Sequence, residues 1–138
     1  MISSNEIMVN CWVNYMDFHV IIREIFDNDN FTIGKKENDL IDIGGLKKGQ
    51  NLSAIRLTDI LLEKIGFAKN ENEYRLQYEE IAYIILRPFP ELSFNIFRRL
   101  VYPNGHYQEL PYEMPIAFVH ELQMRYFGIT GRHLEFVI

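Results

Sequence analysis

Arg98, Arg99 and His106, flanked by Tyr102 and Tyr107, bring together the side chains of this chain best suited to holding an anion. A guanidinium forks two N–H donors onto a carboxylate or phosphate, and a neighbouring ring can stack on a base. Lys47 and Lys48, within the glycine-flanked run 44–50, add two ammonium groups beside backbone donors, the raw material of a phosphate-binding loop. These residues form the candidate ligand-binding set. Two considerations weigh against it. Strand alternation sends Arg98 and Arg99 to opposite faces, so at most one joins a given patch, and charges of this kind also guard sheet edges that bind nothing. The 44–50 run is not a P-loop, because no Lys-Ser/Thr pair follows its second glycine, and such segments commonly serve as exposed connections.

Catalytic constellations are harder to assemble. Glu79 and Glu80 are adjacent on an expected hairpin and point apart, poor geometry for paired acid–base work. Ser3, Ser4, Ser53 and Ser93 lack nucleophile-elbow glycines, and Cys11 has no local activating motif and is expected to be buried beside Trp12 and Val13. His19, His106, His120 and His133 show no metal-ligand spacing. His120-Glu121 opens like a zinc-protease helix, but Met124 stands where the second histidine is required. Asp27 and Asp29 resemble the start of a calcium loop, yet Phe31 and Asn38 occupy its fifth and twelfth positions, so a turn is expected there. No catalytic residue, metal set or cofactor follows, and the chain is read as non-enzymatic.

Composition bounds the remaining classes. A chain of 138 residues is one domain's worth, and its 14% aromatic content favours β-structure with some rings left for an interface or pocket. The formal charge of −5, without a basic block, disfavours nucleic acid as a partner. A single cysteine excludes an internal disulfide and suits a reducing compartment. No charged leader precedes an apolar run, and no stretch approaches about 18 apolar residues, so a cytoplasmic protein without a membrane partner is expected. The glycosylation sequons at Asn30 and Asn51 carry no meaning without secretion.

Elements must position these groups. Residues 7–15 alternate as a strand, 19–26 as a second, and 31–35 and 40–43 as two short ones after a turn at 27–30. The N-terminal region, 1–56, therefore suggests an antiparallel sheet or an SH3-like half-barrel. Thr58 caps a short helix over 59–65 that Gly66 ends, within a 57–67 segment. A polar run at 69–73 reads as a loop. A second β region over 73–112 follows, with a central strand at 81–87 closed by Pro88 and Pro90, and a hairpin turn at 103–106. A helix is expected over 115–130, with Pro115 in its first turn and Gly131 beyond its end, and a last strand at 134–138. Its apolar side carries Ile116, Val119, Tyr126, Phe127 and Thr130, against Glu121 and Arg125 opposite. Gln123 near the centre and His120 on the flank form a polar pair on the buried side, expected to hydrogen-bond to the sheet or a loop. The whole is an α+β domain, its terminal helix packed on the sheet.

The run 119–131, Val-His-Glu-Leu-Gln-Met-Arg-Tyr-Phe-Gly-Ile-Thr-Gly, resembles the "VHxLQNLYFALTGEEL" ending of small uncharacterised proteins found in Bacteroidetes genomes and in their phages and mobile elements. Residues 10–13 and 56–67 resemble that family's "GNWV" and "LTEEILLKCGF" segments. Arg132-His133 departs from the family's acidic pair. The resemblance implies a phage or mobile-element origin but no activity and no site residues. The function expected from all of this is binding of a host protein or small ligand. The alternatives are a homo-oligomer that sequesters a phosphate-bearing nucleotide signal through Arg99, Arg98, His106, Lys47 and Lys48, and a minor virion component.

Overall fold

The computed structural model describes residues 8–15, 18–26, 30–35, 38–42, 47–48, 52–90, 92–112 and 114–137, with 24–26, 30–35, 38–42 and 47–48 described by their backbone. Most of the turn expected at 27–30, all of the 44–50 loop except Lys47 and Lys48, Ser3, Ser4, Ile7 and Ile138 lie outside the described residues. Among the described residues the architecture is α+β: two antiparallel sheets, neither closed into a barrel, with two helices packed on them.

The first sheet contains β1 (Trp12–Tyr15), β2 (Phe18–Phe26), β3 (Asn30–Lys35), β4 (Asn38–Asp42), β5 (Lys47–Lys48) and β6 (Leu52–Ser53). Their order is β4-β3-β2-β1-β6, with β5 also on β3. Both faces of β1 are covered. Trp12 and Ile21 enter the main core, while Val13, Val20, Ile22 and Leu52 form a smaller cluster of their own. The expected strand at 7–15 is shorter, because Asn10 takes a left-handed φ of 74° and turns the chain before Cys11. The 47–48 pair, expected in a loop, instead pairs with β3 opposite Asn30 and Phe31.

Helix α1 (Asp59–Ile65) begins where the Thr58 hydroxyl accepts the Leu61 N–H at 3.2 Å and ends at Gly66, whose φ of 120° disfavours any side chain. Its first-turn Asp59 accepts a short hydrogen bond from the buried Tyr74 hydroxyl, tying the helix to the second sheet.

That sheet, β11-β10-β9-β8-β7, contains β7 (Ala68–Asn70), β8 (Glu73–Gln77), β9 (Ala82–Phe89), β10 (Ser93–Val101) and β11 (Tyr107–Pro111). The 69–73 run is a hairpin rather than a loop, because Asn70 pairs with Glu73 around a turn that Glu71 makes with φ 54°. Its polarity reflects exposure at an edge and not lack of pairing. β9 also runs through Pro88. Alternation points that residue's missing donor toward β8, beyond where β8 begins at Glu73, so no ladder bond is lost.

Helix α2 (Val119–Thr130) starts later than Pro115. The chain before it is committed to extended pairing: Ile116 exchanges two hydrogen bonds with Phe94 at 2.7 and 2.8 Å, Ala117 accepts from Leu57 N at 2.8 Å, and Val119 donates to Ile55 O at 2.8 Å. Glu121 then reaches back, its carboxylate accepting from Ala117 N and Phe118 N at 3.0 and 3.1 Å. The buried face carries Val119, His120, Leu122, Gln123 and Tyr126, so Phe127, expected inside, is exposed. No strand forms over 134–137. Leu134 and Phe136 are nonetheless buried in alternation, and the Phe136 carbonyl accepts the Trp12 indole N–H at 3.2 Å.

Gln123 joins the two halves. Its Oε1 accepts the Trp12 N–H at 2.7 Å and its Nε2 donates to the Asn10 carbonyl at 3.0 Å. In Gln123→Leu both backbone groups lose that partner, with an expected loss of about 2–3 kcal/mol in denaturant unfolding. Hydrogen exchange at the Trp12 amide should accelerate in parallel. An unchanged unfolding midpoint would show that the joint does not depend on this amide.

Candidate functional site

The register of the second sheet builds a charged, aromatic face on the side away from the core. Arg99 lies opposite Tyr83 and Glu109, Phe97 opposite Ile85, and Ile85 opposite Arg75, while alternation places Glu73, Arg87 and Tyr107 on the same side. Arg99 is only 6% exposed. Its Nη1 and Nη2 fork onto the two carboxylate oxygens of Glu73 at 2.8 and 3.1 Å, and its Nε donates to Glu109 at 2.9 Å, with a further short contact from Nη2. Arg87 bridges the same acids, at 2.7 Å to Glu109 and 3.4 Å to Glu73, and Arg75 donates to Glu73 at 2.6 Å.

Two of these guanidinium groups also lie over rings. The Arg87 guanidinium lies 4.5 Å from the Phe97 ring centre and that of Arg99 4.6 Å from Tyr107. Each arginine is thereby held both by carboxylates and by a ring, which leaves it little rotamer freedom. Burial raises the Glu73 carboxyl, but hydrogen bonds and charge from Arg99 and Arg75 outweigh it and hold the group down at about 2. Glu109, similarly buried, is held below the usual carboxylate range by Arg99 and Arg87; burial in turn lowers Arg99, but the two acids outweigh it and push the group up.

The expected ligand-binding residues do not share one surface. Arg99 belongs to the network just described. Arg98 faces the core side, where its Nε donates to the Tyr78 hydroxyl at 2.7 Å. His106 is exposed in the β10–β11 turn, its N–H donating to Asn104 at 3.1 Å. Lys47 and Lys48 belong to the first sheet. Gln123 and His120 are both buried on α2: Gln123 pairs with Asn10 and Trp12, while the His120 ring stacks on Phe118 at 6.0 Å and its carbonyl accepts a weak thiol contact from Cys11 at 3.9 Å. Burial pushes that thiol up to about 11 against a smaller opposing contact from the Met8 backbone, so it is not a ready nucleophile.

Glu73, Glu109, Arg75 and Arg87 were not singled out from sequence. One signal was available: a hairpin turning at 103–106 sets Arg99 opposite Glu109, an opposite-charge cross-strand pair. Glu73 carried no such signal, being 26 residues from Arg99 and meeting it only across the intervening β9.

A separate cavity of about 110 Å³ lies between the first sheet, α2 and the C-terminal segment, lined by Asn10, Trp12, Arg23, Gln123, His133 and Phe136 among others. It sits beside the irregularity between Ile22 and Glu24 in the β2–β3 pairing. Ligand pockets measure about 300–1,000 Å³, so this space suits a few water molecules and not an organic ligand. Among the described residues, no group of three or more His, Cys, Asp or Glu is placed to hold a metal ion, and no helix is long and apolar enough to cross a membrane. Comparison of the chain with protein families, curated proteins and solved structures finds no match.

The network makes stability depend on acid. Because the Glu73 carboxyl is depressed from 4.5 to about 2, its contribution is complete above pH 4.5 and is lost as pH falls toward 2. The thermal midpoint should therefore drop across that window. Glu73→Gln should lower stability at neutral pH by about 3 kcal/mol, since Arg99 loses a buried partner, and should flatten the acid limb. An acid limb as steep in the variant as in the wild type would assign the loss to other carboxylates.

Proposed function

We propose that this chain is a non-catalytic binding protein that docks a partner protein on the outward face of its second sheet. The observation that carries this reading is the arginine–aromatic array of Arg87, Arg99, Phe97 and Tyr107, locked in place by Glu73 and Glu109. Tyrosine and arginine supply most of the strong anchors in protein interfaces, and side chains already immobilised lose less entropy on binding. Tyr107 is 56% exposed and so offers its free ring edge and hydroxyl to a partner.

Three groups with strongly displaced titration support binding over turnover. Acid–base catalysis works best with groups that titrate near the operating pH. Here Glu73 is driven down to about 2, Cys11 up to about 11, and Tyr74, by burial and then by Asp59, up to about 12. Each is moved away from neutrality. The resemblance of 119–131 to proteins of Bacteroidetes phages and mobile elements supplies the setting, in which the partner is a host protein.

Capture from host cells, compared between wild type and Tyr107→Ala, tests the reading. Because the ring is exposed on one side but covers Arg99 on the other, the thermal midpoint should fall modestly with the fold retained, while recovery of the partner enriched by wild type should fall about tenfold or more. Equal recovery by both proteins, or a cross-linked partner mapping to the first sheet, would overturn it.

A further inference from the structure

β11 forms one edge of the second sheet, and the direction of its backbone groups follows from two hydrogen bonds. Tyr112 N donates to Ile96 O at 3.0 Å and Tyr102 N to His106 O at 2.8 Å, so residues 106, 108, 110 and 112 turn their N–H and C=O groups toward β10. Alternation then turns those of Tyr107 and Glu109 outward, along the edge, where no described strand lies beside them. Pro111 falls in the same outward phase and has no N–H, so the usable edge stops there.

The core-side face next to this edge is uncovered. Arg98 and Leu100 sit at the rim of the core, and β11 extends past them, leaving Leu110 55% exposed. The overhang makes a depression of about 310 Å³ lined by Arg98, Leu100, Gln108, Glu109 and Leu110. Arg98 is anchored through Nε on the Tyr78 hydroxyl, and among the described residues its Nη1 and Nη2 have no hydrogen bond or ion pair. The nearby carboxylate of Glu109 is already engaged by Arg87 and Arg99. Among the described residues, therefore, no carboxylate pairs with the cation in this depression.

We propose that β11 accepts an extended segment of the partner as an additional strand, with an acidic side chain of that segment entering the depression to meet Arg98. This rests on the binding reading above and adds the mode and chemistry of recognition. Backbone groups of Tyr107 and Glu109 provide a sequence-independent ladder, and Arg98, which lines the depression together with Leu100 and Leu110, provides the selection for a carboxylate on an aliphatic stem. Side chains of the added strand in the opposite phase would lie against Tyr107 on the outward face, which makes the two surfaces parts of one site.

The probe is the peptide acetyl-Thr-Val-Glu-Val-Thr-amide, titrated into isotope-labelled protein and followed by amide resonances and hydrogen exchange. The expected result is saturable movement of the Tyr107 and Glu109 amides, with slowed exchange at both. Replacing the peptide's Glu with Gln should weaken binding about fivefold or more, as should Arg98→Gln in the protein, provided the variant's remaining spectrum matches wild type. A peptide N-methylated on its ladder-forming amides keeps every side chain and should weaken binding about tenfold or more. If the Glu and Gln peptides bind equally, or the N-methylated peptide binds as well as the parent, the proposal fails. It fails too if native mass spectrometry shows a dimer of the free protein whose Tyr107 and Glu109 amides are already protected, for then a second copy occupies the edge. Should Arg98→Gln recover the cellular partner as wild type does while Tyr107→Ala does not, the strand-addition mode falls and the outward-face reading stands.

Discussion

Because a glutamine side chain carries the same donor and acceptor as a peptide group, Gln123 can serve the backbone where a strand would otherwise be needed. β6 ends at Ser53, so among the described residues Trp12 has no strand neighbour on the side away from β2, and the amide from α2 takes that place. Much else depends on this joint. It orients Trp12 into the main core, where the indole meets the Phe136 ring and carbonyl, and it holds α2 against the first sheet while Val119, Leu122 and Tyr126 pack into the core shared with the second. The buried His120 stacks beside it on Phe118. A purely apolar residue at 123 would fill space but leave a donor and an acceptor buried without partners.

The charges of the second sheet obey the same rule with larger quantities at stake. Taking Arg99 out of water is unfavourable unless its donors are met, and two carboxylates meet them from different strands. Each acid is shared, Glu73 by three arginines and Glu109 by two, so the array carries more cation than anion while every member keeps a partner. Such an array gives register as well as stability. Sliding β10 by one residue would send Arg99 into the core and Arg98 onto the outward face.

The two arginines of the β10 pair thus have different work. Arg99 is consumed by the fold, its charge neutralised and its plane covered by Tyr107, whereas Arg98 spends a single donor on Tyr78. The surface is thus braced beneath, while at one edge, among the described residues, the Arg98 Nη groups have no hydrogen bond or ion pair. Burial pushes the Cys11 thiol and the Tyr74 hydroxyl up, whereas at Glu73 the fixed arginine partners outweigh burial and draw the carboxyl down.

What the sequence by itself determined is local. Thr58 and Gly66 bound α1, the turn at 103–106 pairs β10 with β11, alternation separates Arg98 from Arg99, and helical spacing places His120 and Gln123 on one side. Each depends on contacts within a few residues, and the periods of helix and strand record them directly. Tertiary structure alone decided the rest. Extended pairing with Phe94, Leu57 and Ile55 delayed α2 to Val119, β3 drew Lys47 and Lys48 into a strand, and Glu73 met Arg99 across β9. Which buried donor finds which acceptor depends on residues 26 or 113 positions apart arriving at the same place, and desolvation penalises every arrangement that leaves one of them unmet. That selection acts on the assembled molecule, so no local period carries it.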